Sequence, residues 1–343
     1  MALVRRDDRD RSPAQARIDA RDALERELGN VEAGDSHALG VPHWSDVQYS
    51  SEEISLVKSP KYMARAHPET ISPTAHYTGY VWFANGHSHE AFATRTGKLM
   101  YRALRGPHLV ASVANLPSLD GMLLARHRLI DLQLTRAIDS GEISQIVEVA
   151  AGLSPRGWRF RTRYGDRITY LEADLPGMRA HKQRILGELG GETAHHRTVE
   201  IDALVDDGPT SIAAICGALD QRRGTAIITE GLINYFDTES TLGMWRRFAT
   251  ALRRFPHSRY YSDILLRDAS FRPITAGFSW LLSAFVRGRV HMHFASVDEA
   301  EAQLAACGLT GTLLNPRDFA SELPGIELPG AGRVRIIDAS ATG

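Results

Sequence analysis

Short apolar segments alternate with helix-like segments from about residue 143 to the C-terminus of this chain. The segment ISQIVEVA is rich in Ile and Val, as buried strands are, and ITYLEAD and GTAIITEG are similar. The intervening segments, such as PGMRAHKQRILGEL, space their apolar residues as helices do. This alternation is typical of a parallel sheet covered by helices on both faces. We therefore predict an α/β fold for this part of the chain.

The chain divides into three parts by composition. Residues 1–60 are predicted to form an arm and a connector, because 1–35 carry both signs of charge densely, whereas 36–60 hold turn residues without a clear period. The arm is expected either to fray or to join two copies in a homodimer. Residues 61–140 have helical spacing of apolar residues and are predicted to form a helical cap that contributes to the substrate region. Residues 141–343 are predicted to form the core, with an apolar insertion at 270–288 that serves as a lid or an extra packed helix.

The composition excludes several classes of protein. The chain has 343 residues, of which 43% are hydrophobic, so it can bury a sizeable core and is not disordered throughout. The 40 Lys and Arg residues balance 41 Asp and Glu residues, which argues against nucleic acid or an anionic membrane as a partner. The sequence has no run of about 18 apolar residues, and its charged N-terminus does not resemble a secretory signal. We therefore expect a cytoplasmic protein without a nucleic-acid or membrane partner.

The first predicted strand ends in a turn of small residues, within the segment IVEVAAGLSPRGW at 146–158. In open α/β sheets, ligands bind outside the carboxyl ends of the strands. Ala150, Ala151 and Gly152 let the backbone approach such a ligand closely. A dinucleotide fingerprint requires three glycines, but only Gly152 is present and Pro155 has no N–H donor. The turn therefore favours S-adenosylmethionine, a nucleoside cofactor without phosphate groups, whose product form is S-adenosylhomocysteine.

Carboxylates follow successive predicted strands where such a nucleoside would lie. Asp174 ends the second strand, 22 residues after Gly152, close to the spacing of about 20 residues that is typical of a ribose-binding acid. The third and fourth strands also end in acids. Polar residues are common at strand ends, so the acids are informative only as a set. The predicted cofactor-binding residues in and after the strands are Glu148, Ala150, Gly152, Glu172, Asp174, Asp202, Ala203, Glu230 and Gly231.

Four motifs follow one another between about residues 70 and 265. They are LLARHRLID, which contains Arg126, AAGLSPR at 150–156, EADLP at 172–176 and EGLINY at 230–235. Together they resemble the leucine carboxyl methyltransferase-like family of class I S-adenosylmethionine-dependent methyltransferases. The resemblance implies the Rossmann-like α/β fold of that class, with a mostly parallel seven-stranded sheet and helices on both faces.

The resemblance also implies roles for individual residues. Arg126 would pair with the carboxylate of the cofactor, and Asp174 with its ribose. Asp202 and Ala203 would flank the adenine, and Glu230 would face the methionine end.

The same resemblance implies methyl transfer to an oxygen atom of a small molecule, either a carboxylate or a hydroxyl, as in polyketide and other natural-product pathways. A carboxylate is already ionised and needs no base, whereas a hydroxyl benefits from a base such as histidine. The family has Gly where this chain has Ala150 and Asp-Thr where it has Ser154-Pro155, which indicates a divergent branch. The candidate catalytic residues are His76, Tyr80, His127 and Tyr235.

Other functions fit parts of the sequence. The segment GLSPRG at 152–157 nearly matches the G-x-S-x-G elbow of α/β hydrolases, with Ser154 as the nucleophile, but its second glycine falls one residue late. A non-catalytic scaffold that binds S-adenosylmethionine would carry the same cofactor motifs. An NAD-linked oxidoreductase is disfavoured by the missing glycines of the turn.

Three other features are expected to be structural or to influence specificity. The five arginines of RGWRFRTRYGDR at 156–167 either form an exposed helix face or attract an anionic substrate. Cys216 and Cys307 lie in apolar segments and are expected to be buried free thiols. His291 and His293 can present both rings on one strand face, but further ligands do not stand out, so we predict no metal site.

Overall fold

Seven strands form one sheet in the part of the chain that the computed structural model describes, residues 73–104, 118–267, 291–323, 325 and 330–342. The predicted arm at 1–60 and the insertion at 270–288 lie outside these residues. The strands are β1 (Gln145–Val149), β2 (Thr169–Asp174), β3 (His196–Glu200), β4 (Thr225–Thr229), β5 (Ser258–Leu265), β6 (Leu309–Leu314) and β7 (Val334–Ala341).

The strand order is β3-β2-β1-β4-β5-β7-β6. The first five strands are parallel, and β7 lies antiparallel between β5 and β6. Consecutive strands run outward from β1 to β3 on one side, and β4 returns to the other side of β1. This reversal of order opens a crevice at the carboxyl ends of β1 and β4, where open α/β sheets bind their ligands. The predicted mostly parallel seven-stranded sheet is confirmed.

The helices follow the apolar periodicity that predicted them. Several of their N-termini are capped by local hydrogen bonds, such as those that the Ser118 hydroxyl and the Asp237 carboxylate accept from backbone N–H groups. The helices are α1 (Pro73–Ala84), α2 (Arg95–Ala103), α3 (Leu119–Asp139), α4 (Arg156–Tyr164), α5 (Pro176–Glu188), α6 (Ile212–Gly217), α7 (Thr238–Leu252) and α8 (Val297–Ala306). Short 3-10 turns occur at Glu90–Phe92, Gly165–Arg167, Ile233–Tyr235, Pro316–Phe319 and Ala331–Arg333.

Helices cover both faces of the sheet. Val147 of β1 belongs to the buried cluster that includes Trp245 of α7. The neighbouring residue, Ile146, belongs to the opposite cluster, which includes Leu129 of α3. Because neighbouring side chains of a strand point to opposite faces, β1 is buried on both sides, and all five of its residues are buried. The sheet can therefore hold its carboxyl edge rigidly.

Helix α1 lies next to the turn that follows β1. A Cβ atom added to Gly79 would lie 3.1 Å from the Leu153 Cβ atom, so the helix approaches the turn closely. The Tyr77 hydroxyl donates a 2.7 Å hydrogen bond to Asp120, which joins α1 to the start of α3. These contacts place α1 and α3 beside the carboxyl edge of the sheet.

Two further sequence predictions concern the cysteines and the membrane. Cys216 and Cys307 are both free and buried, as predicted. Within the residues that the structure describes, none of the helices is both long and apolar enough to span a membrane.

Candidate functional site

The turn after β1 uses a left-handed backbone at two positions. Ala150 has a φ of 54° and Gly152 a φ of 50°. Glycine adopts this conformation freely, but an alanine there costs about 1–2 kcal/mol because its Cβ atom crowds the following carbonyl oxygen. The sharp turn brings the chain from β1 into α4 and keeps the Gly152 backbone at the edge of the sheet.

Replacing Ala150 with glycine is expected to stabilise the protein by up to about 1 kcal/mol. Glycine relieves the strain of about 1–2 kcal/mol at this position. This gain exceeds the cost of about 0.4–1 kcal/mol that arises because glycine gives the unfolded chain more conformational freedom. Ala151 is the matched control, since it is buried and its φ is not positive. Ala151→Gly should therefore destabilise the protein, by about 1 kcal/mol. Chemical denaturation measures both, and destabilisation of equal size in the two variants would contradict the strain at Ala150.

Asp174 lies directly beside this turn. Its carboxylate accepts a 2.7 Å hydrogen bond from the Gly152 N–H and a 2.8 Å hydrogen bond from the Leu175 N–H. Burial raises the pKa of Asp174, although the two backbone hydrogen bonds act in the opposite direction. The side chain is only half-buried, so the carboxylate at the end of β2 can also meet a ligand. The structure thus brings together two of the predicted cofactor-binding residues.

Glu172 has different surroundings from Asp174. Its side chain is 1% exposed and pairs with Lys182 of α5 and, at 2.6 Å, with His196 of β3. Burial opposes ionisation of Glu172, but Lys182 and His196 outweigh it and lower the pKa of the carboxyl group. Glu172 therefore lies inside the protein, away from the open edge where we expected a ribose.

Lys182 is a functional candidate that the sequence analysis missed. Its ammonium group donates hydrogen bonds of 3.0 Å to the Gly152 carbonyl and 2.7 Å to the Ser154 carbonyl. It is 2% exposed and also pairs with Glu172, so one buried charge holds the turn against β2. A sequence signal for its burial was present, because Lys182 lies three and four residues before Ile185 and Leu186, on the apolar face of α5.

A second group of charged residues lies beside the end of β4. Arg126 of α3 donates hydrogen bonds of 3.0 Å from Nε to Glu230 and 3.2 Å from Nη1 to Asp263 of β5. Asp263 also accepts a 2.5 Å hydrogen bond from the Gly231 N–H. Gly231 has a φ of 69°, a left-handed conformation that favours glycine, and an added Cβ atom would lie 2.8 Å from Arg126 Nη2. Asp263 connects the two predicted residues Arg126 and Gly231, and it was not among the predicted cofactor-binding residues.

Glu230 is held by three cationic or polar partners. In addition to Arg126, its Oε2 atom lies 2.5 Å from Arg156 Nη2 and 2.9 Å from His127 Nδ1. Burial opposes ionisation of Glu230, but His127, Arg156 and Arg126 outweigh it and hold the pKa of the carboxyl group far below its usual range. Glu230 is therefore a carboxylate throughout the neutral pH range. Glu148 belongs to the same group, since it lies 2.5 Å from Arg156 and 2.8 Å from the Tyr170 hydroxyl.

The loop after β3 carries the residues predicted to flank adenine. Asp202 accepts a 3.0 Å hydrogen bond from the Leu204 N–H, and Ala203 packs against the core. Both are half-buried. Because the carboxyl ends of parallel strands meet at one edge, this loop lies on the same edge as Asp174.

The candidate catalytic residues fall in different surroundings. His127 has no exposed surface and its ring lies 4.5 Å from the Trp82 ring, so an acceptor molecule cannot contact it directly. His76 forms a 2.8 Å hydrogen bond with the Thr94 hydroxyl, and Tyr80 packs on Tyr101 with ring centroids 5.2 Å apart. The turn Ile233–Tyr235 places Tyr235 just after Gly231, within electrostatic reach of Arg126 and Asp263. Besides the fully buried His127, Tyr235 is therefore the candidate associated with the charged group, and burial raises the pKa of its phenol.

Ser154, in the segment that nearly matches the hydrolase motif G-x-S-x-G, lacks the surroundings of a catalytic nucleophile in the described part of the chain. Ser154 is 2% exposed, and its hydroxyl accepts a 3.3 Å hydrogen bond from the Arg156 N–H. Within the described ranges, the hydrogen bonds of this hydroxyl include none to a histidine. This arrangement gives no support to the hydrolase alternative.

The paired histidines are held by protein groups. Their rings are stacked, with centroids 6.2 Å apart, and His293 lies 3.1 Å from the Thr238 hydroxyl and 3.2 Å from the Ile233 carbonyl. Among the residues that the structure describes, no group of three or more His, Cys, Asp or Glu side chains is arranged to hold a metal ion.

Comparisons with known proteins give a family match over part of the chain, and the fold. Residues 82–248 match the family model described as leucine carboxyl methyltransferase. A Mycolicibacterium paratuberculosis protein named "Putative S-adenosyl-L-methionine-dependent methyltransferase" is 35% identical over 162 residues, which is 47% of this chain and 49% of that protein. The chain thus spans about half the length of the curated relative that it matches.

Two solved structures share the fold at low sequence identity. A DUF574 family protein from Streptomyces avermitilis is 17% identical with a TM-score of 0.52, and the match covers 79% of this chain and 98% of that one. A "putative methyltransferase" from Thermobifida fusca is 14% identical with a TM-score of 0.51, and the match covers 82% of this chain and 98% of that one. They confirm the predicted class I fold. Over residues 82–248 the chain therefore matches the leucine carboxyl methyltransferase family model, and its described residues have a class I methyltransferase fold.

Proposed function

We propose that this protein is a methyltransferase that uses S-adenosylmethionine. One observation carries the proposal: a single edge of the sheet presents a half-buried carboxylate at the end of β2 and a guanidinium–carboxylate pair at the end of β4, with the small turn between them. Such an edge is complementary to a ligand that has a ribose at one end and an amino acid at the other.

The residues at this edge fit each part of the cofactor. The N–H groups of Arg126 suit a carboxylate, and Glu230 suits an ammonium group. The carboxylate of Asp174 suits the two ribose hydroxyls, and the loop at Asp202–Ala203 suits the adenine. Glu172 and Glu148, which we predicted from sequence as ligands, would instead support the site from inside, because both are 1% exposed.

The bound cofactor would supply an electrophilic methyl group on a sulfonium. The acceptor oxygen would form a bond to that methyl carbon while the carbon–sulfur bond breaks, which releases S-adenosylhomocysteine. A chain of this kind contributes by holding the acceptor in line and excluding water, and proximity supplies about 7–11 kcal/mol of the barrier.

We further propose that the acceptor is a small-molecule carboxylate, with a hydroxyl as the second candidate. Two facts favour a carboxylate. The family description names a carboxyl methyltransferase. The histidine in contact with Glu230, His127, has no exposed surface and so cannot take a proton from a hydroxyl directly. A natural-product acid would fit this proposal.

Calorimetry and a transfer assay test the proposal. We expect the full chain to bind S-adenosylhomocysteine at one site per chain, and to transfer a radiolabelled methyl group to members of a panel of small carboxylic acids. Transfer to phenols alone would favour the hydroxyl. Binding without transfer to any acid or phenol would support a cofactor-binding scaffold. No binding, together with labelling of Ser154 by a fluorophosphonate, would support a hydrolase.

The location of the protein in the cell and its oligomeric state are a separate proposal. We propose a cytoplasmic protein that forms a homodimer through residues 1–60. Sedimentation of the full chain and of a variant lacking 1–60 tests the dimer, which a monomeric full chain would exclude.

A further inference from the structure

Arg156 is the largest charged side chain that the structure buries completely. Its position in the sequence, at the start of a run of arginines, suggested an exposed helix face or a surface that attracts anions. The other arginines of the run fit that expectation better: Arg159 and Arg163, for example, are 32% and 60% exposed at the side chain. Arg156 therefore has a different role from the rest of the run.

The guanidinium group of Arg156 faces three carboxylates. Nε lies 2.6 Å from Asp131, Nη1 lies 2.5 Å from Glu148, and Nη2 lies 2.5 Å from Glu230. Nη2 also lies 2.9 Å from His127 Nδ1. All three guanidinium nitrogens are thus in use, each directed at a different partner.

These partners belong to the elements that build the proposed cofactor site. Asp131 lies on α3, which carries Arg126, and Glu148 lies on β1, which leads into the turn. Glu230 follows β4, and Arg156 itself is the first residue of α4, directly after the turn. A single side chain therefore joins α3, β1, α4 and the end of β4 at the methionine end of the proposed site.

We propose that Arg156 is a positioning residue, which orients Glu230 and Arg126 toward the amino-acid end of S-adenosylmethionine. This inference rests on the proposed function. Arg156 binds the Oε2 atom of Glu230, while Arg126 binds Oε1. The orientation of the Glu230 carboxylate is thus set from the interior, on the side opposite to Arg126. Arg126 is 12% exposed at the side chain, whereas Arg156 is not exposed, so only Arg126 can meet a ligand.

A lysine cannot reproduce this arrangement. Arginine presents a rigid planar set of donors that can face several carboxylates at once, whereas lysine is a compact point charge on a flexible stem. Arg156→Lys therefore keeps the buried positive charge but loses the simultaneous contacts with Asp131, Glu148 and Glu230. We expect the adenosine end of the site, at Asp174 and Gly152, to keep its geometry.

Two ligands distinguish a positioning role of Arg156 from a purely structural one. S-Adenosylhomocysteine has the amino-acid end, whereas 5′-methylthioadenosine has the same adenosine and thioether without it. By calorimetry, Arg156→Lys should weaken binding of S-adenosylhomocysteine by about 10-fold to 100-fold. Binding of 5′-methylthioadenosine should change by less than about 3-fold. Arg159→Lys is the matched control, because Arg159 pairs with Asp131 without an observed contact to Glu230, and should leave both affinities unchanged.

A second variant covers the case in which Arg156→Lys does not fold. Asp131→Asn loosens Arg156 from α3 without altering Glu230, and should weaken only S-adenosylhomocysteine, by about 3-fold to 10-fold. Equal losses for both ligands, or no loss for S-adenosylhomocysteine, would overturn the positioning role and leave the proposed function intact. Failure of the wild-type protein to bind either ligand would instead overturn the proposed function, and the inference with it.

Discussion

Replacing Asp174 with alanine is expected to weaken binding of S-adenosylhomocysteine by at least about 100-fold. A carboxylate can accept a hydrogen bond from each ribose hydroxyl, and hydrogen bonds to charged groups contribute about 1.5–3 kcal/mol each. The loss should apply equally to 5′-methylthioadenosine, which keeps the ribose. This distinguishes Asp174 from Arg156, whose replacement should affect only ligands with an amino-acid end.

The fold should survive the loss of Asp174. Its side chain is only half-buried, and one of its two backbone donors belongs to Leu175, which is exposed and can bind water instead. We expect the free energy of unfolding to fall by less than about 1.5 kcal/mol. Asp206→Ala is the control, because Asp206 is an exposed carboxylate in the loop after β3 that pairs with Arg247. Micromolar binding by the Asp174 variant would exclude this carboxylate from the site.

Replacing Lys182 with methionine is expected to lower the free energy of unfolding by about 3–5 kcal/mol. Lys182 and Glu172 are 2% and 1% exposed, and removing Lys182 from this buried ion pair leaves the Glu172 carboxylate with His196 as its remaining partner and with too little compensation. The Gly152 and Ser154 carbonyls would lose their donor as well. Arg184→Met is the matched control on the same helix, since Arg184 is exposed, and should change stability by less than about 0.5 kcal/mol.

The cost of Lys182→Met should depend on pH. In the wild-type protein the pKa of Glu172 is lowered, so its ionised form contributes stability above the usual value of 4.5 and loses that contribution as the pH falls. Without Lys182, the pKa of Glu172 would rise relative to the wild type, because burial is then opposed by His196 without the lysine, and acid would neutralise the poorly compensated charge. The stability difference should therefore shrink as the pH falls.

A double variant checks this explanation. Glu172→Gln in the Lys182→Met background removes the uncompensated charge and should recover part of the lost stability. A difference that stays constant with pH, and no recovery in the double variant, would show that the loss comes from packing and not from the charge.

The edge of the sheet that holds Asp174 was predictable from sequence. Parallel strands bring their carboxyl ends together, so an acid that ends the second strand must lie near the turn after the first. The spacing of 22 residues between Gly152 and Asp174 and the direct hydrogen bond between them agree with this rule. Arg126 and Glu230, which the resemblance placed together, are also in contact, at 3.0 Å.

The direction and burial of charged side chains were not predictable in the same way. Arg156 sits in a run of arginines that resembles a solvated surface, yet its partner Glu230 is 74 residues away. Lys182 resembles any helix lysine until its carbonyl partner Gly152, 30 residues away, is known. His127 looks like a base in the sequence, but its ring is enclosed by Trp82 and Glu230.

The sequence by itself determined the strands and helices and the order of the motifs, because local hydrogen bonding and apolar periodicity act over a few residues. The tertiary structure alone decided which charges are buried and which face a ligand. A buried charge is stable only where opposite charges from distant elements surround it, and no local pattern records that meeting. For this protein, Asp174 and Arg126 consequently remain at the open edge, while Arg156, Lys182 and Glu172 support that edge from within.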